Sequence, residues 1–593
     1  MKNFNKIAAI ALSAVLAGTT LSLAACGENS EAPGETEQTQ NNDVTDVNKQ
    51  YSKSLSSASY NFDAEYFYSD FNALSNNDTT RQNGVDTFEN KDIVFQNIYY
   101  DQLLYLLNQE GYYLILFGGS WCHNTRAAVP YINEYAKAFG INTVYTFDFR
   151  LDGSTENANA HIRESAKTPE YGGESNGKAA ADWNYLYGEL VSRYLTNLND
   201  WVEYKQDGAS ALTWYDVNYE PHTVAKAQVP FFFLYNKDNT THYVPEYDGE
   251  GIANHNQTGV SETAGEEGKT YPIVYGFEEM VDRDDAGVYY GSASASPRNY
   301  ITEDYKSRVK SVFDFILTEN IKVGTYTYAQ YLTDAFEAGN GRGHAPKLYD
   351  IFEDGEQINI NVITYRQLEW LLQQEGSAII LFGGAWCANT TAGIKPINDY
   401  AVANNLTVYM WDTRLDGKYP IDFWGYGRDR QFQTRGTTQE GKDEGHGYGG
   451  AVNPFAYLYV DLLNTYLPNI ETLNNPTSAS FSDGSKVVSY TDSDNVTHSA
   501  AKAQVPYIFS YNKDAKDEDG FTAPILEWYE EMLEVNNSAS KFTKELYLYT
   551  EANYARYTNG VYEVIKAYAK TTGEAAVEYT GAPAHPFVNF DLL

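Results

Sequence analysis

An ordered series of segments occurs twice in this chain, so the architecture reached by one half must be reached by the other. Leu116-Phe117-Gly118-Gly119-Ser120-Trp121-Cys122-His123-Asn124-Thr125 returns as Leu381-Phe382-Gly383-Gly384-Ala385-Trp386-Cys387-Ala388-Asn389-Thr390, 265 residues later. Upstream, Gln102-Leu103 and Gln109-Glu110-Gly111 match Gln367-Leu368 and Gln374-Glu375-Gly376 in the same register. Downstream, Arg150-Leu151-Asp152-Gly153 matches Arg414-Leu415-Asp416-Gly417 at an offset of 264. Ala225-Lys226-Ala227-Gln228-Val229-Pro230 then recurs as Ala501-Lys502-Ala503-Gln504-Val505-Pro506. Where the offset changes, the loops differ. The second copy gains residues between Lys418 and Gly447, and the first carries a longer stretch around Asn239 to Lys269. That stretch is rich in Gly, Asn, Thr and Glu and reads as an exposed loop.

Periodicity alternates within each copy. Tyr99 to Glu110 spaces its apolar residues as a helix, and Tyr113 to Phe117 is a short apolar strand. Cys122 opens a second helix running to about Phe139, followed by a strand from Thr143 to Phe149. Val229 to Tyr235 reads as a strand, Pro272 to Tyr275 as another, and Tyr305 to Leu317 as a closing amphipathic helix. Strand, helix and strand followed by further strands and a helix imply an α/β unit around a central sheet. The expected domains are residues 61–324 and 325–593.

The N-terminus reads as an export signal over residues 1–25. Lys2 and Lys6 precede an apolar run from Ile7 to Leu23, which ends in Leu23-Ala24-Ala25-Cys26-Gly27. The cysteine after this small-residue site resembles the bacterial lipobox. That resemblance implies cleavage before Cys26 and a diacylglycerol on its sulfur, holding the protein on a membrane and outside the cytoplasm. Residues 26–60, poor in large apolar side chains, read as a flexible polar tether.

The formal net charge is -38, from 80 acidic and 42 basic residues. Such a field repels nucleic acid and anionic headgroups, so neither is expected as a direct partner. The 52 tyrosines lie largely in strand-like runs such as Val144-Tyr145-Thr146-Phe147, where tyrosine pairs a strand-forming body with a polar tip. There are 3 cysteines. With Cys26 given to lipid, Cys122 and Cys387 remain, too few for a disulfide framework and without the clustered ligands of a zinc site. No metal and no cofactor is expected.

A strand leading into Trp-Cys at a helix start, with Val-Pro before a later strand, resembles the thioredoxin superfamily, and both elements occur twice. Pro130, eight residues after Cys122, stands where helices of that family kink, while Pro396 stands one position later in its copy. The resemblance implies two tandem thioredoxin-like domains with mixed central sheets. It implies cis peptides at Val229-Pro230 and Val505-Pro506, each beside its cysteine and offering backbone to a bound polypeptide. It also implies that Trp121 and Trp386 shield the sulfur. Cysteine and Val-Pro are separated by more residues than in minimal members of the family, so each copy holds an insertion. The helical patterns Trp183 to Leu195 and Phe455 to Leu467 suggest a small helical subdomain there.

A cysteine at a helix N-terminus faces unpaired N–H groups and the positive end of the dipole, which favour thiolate. The family's second cysteine is replaced by Thr125 and Thr390, and its buried acid by Leu116 and Leu381. A dithiol cycle within one domain is therefore not expected. Monothiol exchange remains, with Cys122 and Cys387 as nucleophiles acting on exported proteins or small thiols and disulfides. In that reading Thr125 and Thr390 donate a hydrogen bond to the thiolate. His123, replaced by Ala388 in the second copy, either acidifies Cys122 or faces solvent. Arg150 and Arg414 either structure their loops with Asp152 and Asp416 or reach an anionic ligand. The competing reading is a redox-inert module binding an extracellular protein or glycan in the Val-Pro groove or on the inserted subdomains.

Overall fold

The computed structural model describes residues 52–77, 86–153, 160–163, 184–202, 211–215, 221–247, 257–278, 303–326, 328–339, 350–417, 432–436, 455–473, 487–530 and 551–581. The export signal, Cys26 and the tether up to residue 51 lie outside the described residues.

The first half runs α1 (Phe62–Asn77), β1 (Phe95–Asn97), α2 (Tyr100–Leu107), β2 (Tyr113–Phe117), α3 (His123–Ala138), β3 (Val144–Phe147), α4 (Tyr185–Tyr194), α5 (Leu198–Trp201), β4 (Ala211–Tyr215), β5 (Pro221–Ala225), β6 (Phe231–Tyr235), β7 (His242–Tyr247), β8 (Gln257–Thr263), β9 (Ile273–Glu278) and α6 (Glu303–Thr318). The second runs α7 (Tyr328–Gly339), β10 (Ile360–Ile363), α8 (Tyr365–Gln373), β11 (Ser377–Phe382), α9 (Ala388–Ala403), β12 (Val408–Trp411), α10 (Ala456–Tyr466), β13 (Val487–Thr491), β14 (Thr497–Ala501), β15 (Tyr507–Asn512), β16 (Ile525–Glu530) and α11 (Glu551–Thr572).

Each half is an α/β unit around a five-stranded mixed sheet, ordered β1-β3-β2-β6-β9 in one and β10-β12-β11-β15-β16 in the other. The first three strands of each order are parallel, and the last two are antiparallel. Central β2 (Tyr-Leu-Ile-Leu-Phe) and β11 (Ser-Ala-Ile-Ile-Leu-Phe) are buried at every residue, as strands covered on both faces must be. A capping box starts α8: Thr364 Oγ1 accepts from Gln367 N at 3.2 Å and Gln367 Oε1 accepts from Thr364 N at 3.0 Å.

Three expectations need correction. The expected helices are there as α4 and α10, but among the described residues the insertions are not purely helical: each adds a two-stranded ribbon, β4–β5 against α4 and β13–β14 against α10. Alternation drives this, since Leu212 and Trp214 are buried while Ala211 and Thr213 are exposed, and Val488 and Tyr490 are buried while Val487, Ser489 and Thr491 are wholly or partly exposed. Gly188 makes room on α4, because a Cβ there would lie 2.2 Å from the Trp214 ring. The stretch from Asn239 to Lys269 is likewise no simple loop, because it contains the antiparallel pair β7–β8.

The third correction concerns residues 52–60, expected at the end of the tether. They are docked on the second half. Leu55 N donates to Ser377 O and Ser377 N to Lys53 O, both at 2.8 Å, and Tyr409 Oη donates to Leu55 O at 2.6 Å. Leu55 is 1 % exposed. The segment before α7 does the same on the first half: Gly324 N donates to Tyr112 O at 2.7 Å and Tyr326 N to Tyr145 Oη at 3.1 Å. Each half therefore lends its leading arm to the other. The helices that follow complete the exchange, with Phe62 against Tyr409 (centroids 4.6 Å apart) and Tyr331 against Tyr105 (5.3 Å).

The loops after β3 and β12 cross over as well. Gly153, with φ +63, lies so close to Arg366 that a Cβ would approach its Cβ to 2.6 Å; Gly417, with φ +60, packs likewise on Tyr99 and Asp101. Glycine takes this backbone conformation without strain. No described helix is long and apolar enough to cross a membrane.

Candidate functional site

Cys122 is the N-cap of α3 and Cys387 the N-cap of α9, each in extended backbone conformation just before the first helical turn. The helices pass through Pro130 and Pro396. Both Val229-Pro230 and Val505-Pro506 are cis. Cys122 Sγ donates to Val229 O at 3.5 Å, and Cys387 Sγ to Val505 O at 3.3 Å. In each half the sulfur thus sits between a helix N-terminus and the Val-Pro carbonyl. Cys122 is buried, at 7 % exposed, whereas Cys387 is half-buried. Both are free thiols, so no bond joins Cys122 to Cys387.

Thr125 and Thr390 do not reach the sulfur. Their hydroxyls are fully buried and have no hydrogen-bond partner. The side chains turn under the Gly-Gly pair instead, since a Cβ on Gly118 would meet Thr125 Oγ1 at 2.6 Å and one on Gly383 would meet Thr390 Cγ2 at 2.8 Å. The expected Thr-to-thiolate bond is absent for this steric reason. His123 is the first residue of α3, and its side chain lies outside the described residues.

The indoles of Trp121 and Trp386 turn toward carboxylates. Trp121 Nε1 donates to Asp148 at 2.9 Å and Trp386 Nε1 to Asp412 at 2.7 Å. Arg150 N donates to Asp148 Oδ1 at 2.8 Å and Arg414 N to Asp412 Oδ1 at 2.9 Å. The Arg150 and Arg414 guanidinium groups each lie 3.7 Å from the centroid of the same indole, a cation–π stack. Burial pushes Asp148 up to about 6 and Asp412 up to about 7, while hydrogen bonds from the indole and the backbone pull both down. Each half therefore has an acid bonded to the tryptophan that precedes its cysteine, buried at Asp412 and half-buried at Asp148, supplied by the end of the neighbouring strand rather than by Leu116 or Leu381. The signal was available: Asp148 and Asp412 stand two residues before Arg150 and Arg414 at the same offset of 264.

Between the halves lies a small cleft, partly open to solvent. Gly119, Asp148 and Arg150 border it from one half, Asp412 and Arg414 from the other. Among the described residues no group of three or more His, Cys, Asp or Glu side chains is arranged to hold a metal ion. In comparisons with known proteins the chain matches no family model, no curated protein and no solved structure.

Proposed function

We propose that this chain is a lipid-anchored protein outside the cytoplasm, built from two thioredoxin-like units that carry out monothiol thiol–disulfide exchange on exported proteins or small thiols. The observation that carries the reading is the sulfur at a helix N-terminus, 3.5 Å (Cys122) and 3.3 Å (Cys387) from the carbonyl of a cis Val-Pro peptide. The strand order supports the thioredoxin-like assignment, since it is the same in both halves and places the cysteine after the central strand.

In the proposed step the thiol loses its proton to solvent, and the thiolate attacks one sulfur of a substrate disulfide. A Cys–S–S–substrate bond forms as the substrate's other sulfur leaves as thiolate. With threonine in place of a resolving cysteine, a thiol from another molecule, or a second thiol of the substrate, must attack the mixed disulfide to restore Cys122 or Cys387. The helix N-terminus stabilises the thiolate in both steps.

The burial of Cys122 supports the second reading, a redox-inert binding module, for the first half. Oxidised glutathione separates the two. Incubated with folded Cys122→Ser and Cys387→Ser variants whose Cys26 carries its lipid, it is expected to leave a glutathione adduct on whichever of Cys122 and Cys387 remains, faster on Cys387. If intact-mass spectrometry finds no adduct on either folded variant, exchange is refuted and the binding reading stands.

A further inference from the structure

In both halves the Val-Pro carbonyl belongs to a short stretch gripped by side chains from three distant parts of the chain. In the first half, Ala227 N donates to Tyr187 Oη at 2.8 Å, and the same hydroxyl donates to Ala225 O at 3.0 Å. Arg163 Nη1 donates to Ala227 O at 2.6 Å, and Gln228 N donates to Glu278 Oε1 at 2.6 Å. In the second half, Ala503 N donates to Tyr459 Oη at 3.0 Å and Tyr459 Oη to Ala501 O at 3.0 Å. Arg435 Nη1 donates to Ala503 O at 2.8 Å, and Gln504 N donates to Glu530 Oε1.

The tyrosines come from α4 and α10, the glutamates from the ends of β9 and β16, and the arginines from segments bridged to Arg150 and Arg414. All six side chains are 7 % exposed or less. Burying a guanidinium or a carboxylate is costly unless it makes specific hydrogen bonds, and here those bonds converge on one stretch of backbone. Four backbone groups between Ala225 and Gln228 are fixed in direction: Ala225 O, Ala227 N, Ala227 O and Gln228 N. The carbonyl of Val229, the residue after Gln228, faces the sulfur at 3.5 Å.

We infer that Tyr187, Arg163 and Glu278, with Tyr459, Arg435 and Glu530 in the second half, are positioning residues that hold the Val-Pro carbonyl against the cysteine. The insertions, which supply the tyrosines, are therefore part of site construction. The inference rests on the exchange reading for its purpose but not for its test. A carbonyl that accepts from S–H favours the protonated sulfur, whereas the helix N-terminus favours thiolate. Holding the carbonyl in place sets the balance between them.

The test reads the rate of Cys122 alkylation by iodoacetamide against pH in the full chain carrying Cys387→Ser. Glu278→Ala and Tyr187→Phe each release part of the grip. Both are expected to move the profile to lower pH, with alkylation roughly fivefold faster below the original midpoint. Glu278→Gln keeps an oxygen that accepts from Gln228 N and is expected to keep the original profile. The remaining charged groups around the loop stay in place in every variant: Arg308 on Glu278 O, Asp148 and Arg150 at the indole, His161 against Trp121, Arg126 on Ser120 O, and Lys226. If Glu278→Ala fails to fold, Tyr187→Phe carries the test. A folded Tyr187→Phe whose profile is unmoved, or moved to higher pH, overturns the inference. Glutathione adduct formation, measured in parallel on the same proteins, reports on exchange independently, so either idea can fail alone.

Discussion

Trp386 donates its indole N–H to Asp412 at 2.7 Å, tying the residue beside Cys387 to an acid at the end of the adjacent strand. Trp121 and Asp148 repeat the arrangement in the first half. Glycine is required at the foot of each pair. A Cβ on Gly384 would come within 2.3 Å of Asp412 Oδ2 and 2.4 Å of Trp386 Nε1, and one on Gly119 within 2.1 Å of Asp148 Oδ2. The Gly-Gly that precedes each motif therefore accommodates an acid as well as a turn.

The acid gives the fold an unusual pH dependence. Asp412 is raised by burial from 3.8 to about 7, so the native state binds its proton more tightly than the unfolded chain does. Between about pH 4 and pH 7 the native state holds more protons, and stability falls as pH rises through that window. Asp412→Asn keeps an acceptor for the indole and carries no charge. It is expected to remove a loss on the order of 3 kcal/mol between pH 5 and pH 8. Urea midpoints at the two pH values check this; a slope equal to that of the unsubstituted protein contradicts it.

Gly384→Ala tests the close approach directly. The added methyl has no room unless the carboxylate or the indole moves, so the Trp386–Asp412 bond is expected to break. A cost of about 1–3 kcal/mol follows from overpacking of this kind. Chemical denaturation gives the cost, and a shift in tryptophan emission relative to Gly140→Ala, where a Cβ meets nothing within 4 Å, reports the displaced indole. Because Gly140 has φ +71, its substitution costs stability through the backbone while leaving both indoles in place.

Much of the sheet was legible because its central strands are covered on both faces and read as unbroken apolar runs, such as Tyr113 to Phe117. The closing helix was legible from its amphipathic spacing, which matches α6 closely. The ribbons were not. In β7–β8 nearly every residue is partly exposed, so no apolar alternation marks the strands. The arm at Leu55 was invisible because one buried side chain in a polar stretch gives no period, and its backbone pairing is with a residue more than 300 positions away. At the site, the two cysteines and the two Val-Pro peptides stood out through repetition. Arg163 and Arg435 did not, because their neighbours differ between the copies (His161-Ile162 against Gln433-Thr434), so no match drew attention to them.

The exchanged arm predicts that stability of the second half depends on residues from before the first. Leu55→Ala removes a side chain that is 1 % exposed and is expected to cost about 2–5 kcal/mol. The loss should be seen first as faster hydrogen exchange at the Ser377 and Thr407 amides, which donate to Lys53 O and Ser56 O. Unchanged exchange at both amides would show that the arm is dispensable.

The threonines that stand where a second cysteine would resolve a mixed disulfide give the sharpest test of what the motif does. If Thr125 tuned the sulfur by hydrogen bonding, Thr125→Val would slow Cys122 chemistry. The geometry gives the opposite expectation. Thr125 Oγ1 is buried without a partner, so the hydroxyl keeps a desolvation cost that no bond offsets. Valine has nearly the same shape and replaces that hydroxyl with a methyl group suited to the pocket under Gly118. Thr125→Val should therefore stabilise the fold by about 1 kcal/mol and leave the alkylation profile of Cys122 in place. A urea midpoint and a pH–rate profile on the same variant decide it, because a stabilised protein with a slowed thiol would restore the hydroxyl to the chemistry.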